Sequence, residues 1–126
     1  AAGGLNRNTI KGAEAEQRAE SQALENQRLV TRTALGSAET EAVGAEARSQ
    51  SYGDVIGLSR ALIDLYWQQY TLDKRSLTDV INAERDVYQS EVARINAVAD
   101  GNRARIRANA AVGRFVVRLK ETTSLQ

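Results

Sequence analysis

Apolar and small residues recur along the first half of the chain at alternating steps of four and three. From Leu24 they run through Thr31, Leu35, Ala38, Ala42, Ala45, Ser49, Tyr52, Ile56, Ser59, Ile63, Tyr66 and Tyr70, with only Arg28 out of keeping. A heptad-type seam this long predicts one helix over about residues 5–69. Its small-residue middle suits a neighbouring helix that approaches closely. A second seam, Leu77, Ile81, Tyr88, Val92, Ile95, Ala99, Asn102, Ile106 and Ala110, is broken once at Arg85 and predicts a helix over about residues 77–112. Residues 70–76 lie between the two as a polar turn, so the expected fold is all-α, a long antiparallel helical hairpin of coiled-coil type.

Local signals mark the ends of these helices. Ser76 is placed to N-cap the second helix, with Asp79 three residues later as an acidic variant of the capping box. Gly113 suits the left-handed residue that closes a helix, and Arg103, Arg105 and Arg107 fall in the last turns, where positive charge favours the dipole. A short extended tail is expected beyond it. The first helix is expected to begin after Gly3-Gly4, capped by Asn6 or Asn8, with Glu14 and Arg18 spaced as an i,i+4 pair.

Folding the chain back at the turn sets facing positions that sum to about 147 in an antiparallel pair. The expected partners are Tyr66 with Ile81, Ser59 with Tyr88, Tyr52 with Ile95, and Ala42 with Ile106. The two lengths differ: roughly 95–100 Å for the first helix against roughly 54 Å for the second. The first half of the long helix therefore lacks a partner within this chain. Glycines at 12, 36, 44, 53 and 57 each cost about 1 kcal/mol in a helix relative to Ala, and close helix packing would explain keeping them.

Composition points the same way. Of 126 residues, 42% are apolar but only 5% aromatic, with one Phe and one Trp. Much of the apolar content is Ala, which buries little area, so the chain is expected to pack against other copies or other chains. The absence of Pro favours uninterrupted helix. With neither Cys nor His there is no thiol or imidazole chemistry and no zinc site of the usual kind, and no acids cluster at a metal-binding spacing. No cofactor, no metal and no enzymatic activity are expected. No apolar run reaches the length of a membrane span, and the missing Met implies a removed leader or a fragment of a longer protein. A net charge of +1 argues against nucleic acid, and the arginine run suits a helix end better than a phosphate backbone.

The turn carries the most specific pattern. It reads Y-T-L-D-K-R-S-L-T-D-V-I-N-A from Tyr70: an aromatic residue, a polar loop with Arg-Ser, an apolar residue, then Asp-Val and a heptad helix. This resembles the TolC family of bacterial outer-membrane channel-tunnels. Gly3-Gly4 resembles the glycine pair where a barrel strand gives way to the long helix. Ala111-Val112-Gly113-Arg114-Phe115 resembles the motif closing the second helix.

The resemblance implies the helical part of the second repeat of such a protein, without the β-barrel. It implies a homotrimer, spanning periplasm and outer membrane of a Gram-negative bacterium and exporting substrates by type I secretion or multidrug efflux. A periplasmic adaptor and an inner-membrane transporter would dock on the turn at Asp73, Lys74, Arg75 and Ser76. Tyr70 and Arg75 match residues that hold the channel entrance shut. Asp79 matches one acidic position of the constriction, and Asn82 occupies the second, a departure from the family pattern. Asp73 stands where Gly is common. Each of these residues also has an ordinary explanation: Asp79 as a cap, Lys74 and Arg75 as a solvated loop, Tyr66, Trp67 and Tyr70 as the end of the seam. Tyr52 and Tyr88 read as packing residues. The rival function is a coiled-coil interaction module, such as the hairpin of a periplasmic adaptor, whose arms are more nearly equal.

Overall fold

The computed structural model describes residues 2–124, without the side chains of residues 2, 3 and 5. The fold is an all-α helical hairpin of two helices, α1 over Ala2–Thr71 and α2 over Leu77–Ser124. Among the described residues, neither helix is apolar enough to cross a membrane. The chain divides into two compact units, Ala1–Ala38 with Ile106–Gln126, and Glu39–Arg105.

Both helices are longer than the sequence signals suggest. α1 already includes Gly3, Gly4, Asn6 and Asn8, so neither Asn caps it. α2 runs through Gly113, which keeps a negative φ, and no extended tail follows within the described residues. The physical reason is the same at both ends. A glycine costs a helix about 1 kcal/mol, whereas proline costs about 3 and removes a hydrogen bond, and this chain has none. Arg114, Arg118, Leu119, Lys120 and Glu121 are good helix formers that carry α2 onward. Near the start of α1 the observed short-range ion pair is Glu25–Arg28 at 2.7 Å rather than Glu14–Arg18.

In the unit Glu39–Arg105, the α1 seam is the expected one: Ala45, Ile56 and Ile63 are buried, and Ala42, Ser49, Tyr52, Ser59 and Tyr66 are half-buried. The axial register also holds. A Cβ added at Gly101 would lie 3.5 Å from Ala45, and one at Gly53 would lie 3.2 Å from the Arg94 guanidinium.

The inward face of α2 corrects the sequence reading. Ile81, Tyr88 and Ile95 point outward, 50%, 66% and 67% exposed, and so do Leu77 and Val92. The face that packs on α1 is shifted toward the start of the helix: Val80, Val87 and Gly101 lie one position before expected seam positions, and Ala83, Ser90, Ala97 and Ala104 two before. The pairs Tyr66–Ile81, Ser59–Tyr88 and Tyr52–Ile95 therefore match in height but not in face. Small residues win the interior because they let two backbones approach, and a close approach multiplies weak dispersion contacts.

In the other unit, Thr31, Ala38 and Ala111 are buried, and Ala108 and Phe115 are half-buried. Ile106 is 66% exposed, so it too stands outside the seam assigned to it. Every side chain from residue 6 to residue 22 is exposed. The stretch without a buried face is therefore shorter than the first half of α1 expected to lack a partner, because α2 continues to Ser124.

Candidate functional site

The turn is built from its backbone upward. The amide of Lys74 donates to the Gln69 carbonyl at 2.8 Å, and that of Asp73 to the Tyr70 carbonyl at 3.0 Å. This paired closure is a Schellman motif, which needs one residue in the left-handed region. That residue is Asp73, with φ at 58°, in the position glycine usually holds. Asp tolerates this conformation better than most side chains, which explains how the departure is accommodated. On the far side Ser76 Oγ accepts from the Asp79 amide at 3.1 Å, so the expected N-cap is present.

Arg75 is the centre of the turn's side-chain chemistry. Its Nε donates to Gln69 Oε1 at 2.5 Å, and a terminal nitrogen reaches Asp79 Oδ2 at 3.3 Å. Its guanidinium carbon lies 3.7 Å from the centroid of the Tyr66 ring. Arg75 is the half-buried residue of the turn, whereas Asp73, Lys74 and Ser76 are exposed. Tyr66 and Gln69 were not singled out from the sequence as partners of Arg75. They lie on α1, across the turn, and only their shared face with Tyr70 could have pointed to them.

The remaining site residues take up different places. Asp79 and Asn82 line one shallow groove of about 240 Å³, together with Leu62, Tyr66, Arg75 and Asp86. Tyr70 lies apart from the Arg75 cluster and packs edge-on to Trp67, ring centroids 5.8 Å apart. Trp67 Nε1 donates to Glu84 at 3.4 Å. Among the described residues, no three or more acidic side chains gather as a metal-binding group.

Two apolar stripes complete the surface of this unit, and the sequence reading missed them as surface features. One side of the hairpin carries the Arg48–Asp100 pair at 3.6 Å and the groove with Leu62, Asp79, Asn82 and Asp86. The opposite side carries Arg60–Glu91, Trp67–Glu84 and a groove lined by Glu46, Val98, Asn102 and Arg105. Each residue turns a helix by about 100°. Val55, Leu58, Leu62 and Leu65 each precede an α1 seam residue by one and so fall on the first side. Ile81 and Tyr88 each follow a buried α2 residue by one, and Ile95 follows Arg94, whose guanidinium lies against Gly53, so all three fall on the second. All seven are exposed. The contacts Gly53–Arg94 and Trp67–Glu84 bracket the first stripe on α1 and Tyr88 on α2, with Ile95 one residue and Ile81 three residues beyond, so the stripes overlap in height. No family model, no curated protein and no solved structure matches this chain.

Proposed function

We propose that this hairpin is one stave of a helical barrel in a trimeric outer-membrane channel of the TolC type, with the turn at its periplasmic entrance. Substrates leave through that channel by type I secretion or multidrug efflux, and a periplasmic adaptor and an inner-membrane transporter engage the tip. The observation that carries this is the pair of apolar stripes on opposite sides of the hairpin, overlapping in height. A stripe on a single side would serve an isologous dimer. Stripes on opposite sides serve a head-to-tail contact that repeats from copy to copy and closes into a ring. With no axial shift, Val55, Leu58, Leu62 and Leu65 of one hairpin meet Ile81, Tyr88 and Ile95 of the next. Such a contact removes apolar area from water at about 25 cal/mol per Å².

The turn adds the second support. Its polar groups make bonds that water or a partner's groups can replace, as a gate with two states requires. Tyr70 and Arg75 are the proposed closing links, and Asp79 with Asn82 forms the constriction. The test is conductance of the assembled channel in a planar bilayer. Tyr70→Phe combined with Arg75→Ser is expected to raise it, and unchanged conductance would overturn the assignment of the gate.

A further inference from the structure

Arg75 links the last turn of α1 to the first turn of α2 through three contacts of different kinds. Tyr66 supplies a π face, Gln69 a neutral acceptor and Asp79 a carboxylate. The Arg75 side chain is only 28% exposed, whereas Asp79 is 49% exposed and its contact is the longer of the two hydrogen bonds. The inner two arms are therefore the firm ones, and the Asp79 arm is open to exchange. A planar guanidinium can keep a stacked ring and one acceptor while it trades a carboxylate on its remaining edge.

We propose that Tyr66, Gln69 and Asp79 form an intramolecular latch on Arg75, which fixes the turn and keeps this guanidinium spent within its own chain until another carboxylate displaces Asp79. Tyr66 and Gln69 are positioning residues in this scheme: they hold the guanidinium in place whichever carboxylate it meets. The latch itself stands on geometry alone. That its opening frees Arg75 for a link to a neighbouring copy rests on the channel proposed above, and the two fail separately, because the latch is measurable in the chain without any channel.

The experiment is nuclear magnetic resonance of the Arg75 Nε–H in the intact chain, with exposed Arg85 as the internal control. In the native protein the Arg75 signal should be displaced by the Tyr66 ring current and exchange with water more slowly than that of Arg85. Tyr66→Phe should preserve both properties, because the ring remains. Tyr66→Leu should abolish the displacement and speed exchange by about two- to fivefold, the loss of one partly exposed cation–π contact. Gln69→Ala should speed exchange while the displacement persists, which keeps the latch testable if Tyr66→Leu perturbs folding. An Arg75 signal that matches Arg85 in the native protein, or one unmoved by Tyr66→Leu, overturns the proposal.

Discussion

Gly101 faces Ala45 so closely that a Cβ at position 101 would sit 3.5 Å from the Ala45 methyl carbon. That is ordinary van der Waals contact, so one methyl fits and a larger side chain does not. Gly101→Ala should stabilise the chain by about 0.5–1 kcal/mol through helix propensity. Gly101→Leu should destabilise it by about 1–3 kcal/mol through overpacking. Urea unfolding of the two variants checks the opposite signs.

Asp73 occupies the left-handed residue of the Schellman motif, and its identity sets how much strain the turn holds. Asp73→Gly removes the steric cost, whereas Asp73→Ala keeps it and loses the tolerance of Asp. The two variants should differ by about 1 kcal/mol in unfolding free energy, with Gly the more stable. Equal midpoints would mean that the turn relaxes out of this conformation.

The exposed start of α1 should behave as a helix without tertiary support. The stretch is continuous with the rest of α1, but most helical stability in proteins comes from a packed face, which it lacks. Amide exchange should be fast over residues 6–22 and slower by about a hundredfold or more around Ala45 and Gly101. Uniform protection along α1 would contradict the absence of a buried face on that stretch.

Glu25 carries a short pair of hydrogen bonds from Arg28, and this holds its carboxyl below the usual range while raising the Arg28 guanidinium. A lowered carboxylate pKa contributes stability that is present above the unfolded value of about 4.3 and fades as pH falls through the folded value. Helicity around residues 25–28 should therefore decline in acid, and added salt should weaken it at neutral pH, because the pair is exposed. Glu25→Gln should remove both dependences in a circular dichroism titration.

Much of this structure was legible in the sequence, and the misses share a cause. The α1 seam from Thr31 to Tyr66 was readable because its steps of three and four run unbroken, although Val55, Leu58, Leu62 and Leu65 lie off it. On α2 two faces compete. The bulky residues at 81, 88 and 95 give the stronger hydrophobic signal, yet the interior uses Val80, Ala83, Val87, Ala97, Gly101, Ala104, Ala108 and Ala111. That small-residue repeat has the same alternation of steps and was visible, but Ala and Gly score weakly as core. Gly113 looked like a stop because glycine closes many helices, and here continuing cost less than stopping. The Ser76 cap depended on local chemistry and was predictable. The hold of Tyr66 and Gln69 on Arg75 depended on how the turn folds back, which local spacing does not encode.

A head-to-tail contact between the two stripes is tested most directly at Leu58 and Tyr88. Both are strongly exposed, at 76% and 66%, and they lie on opposite sides of the hairpin at one height. The chain has no cysteine of its own, so introduced thiols report without background. Leu58→Cys combined with Tyr88→Cys, oxidised in this chain by itself, should link copies head to tail into a ladder. Neither single variant should link. Strong linking by Leu58→Cys alone would mean like faces meet like, and no linking by the double variant would mean the stripes do not meet; either result contradicts the account.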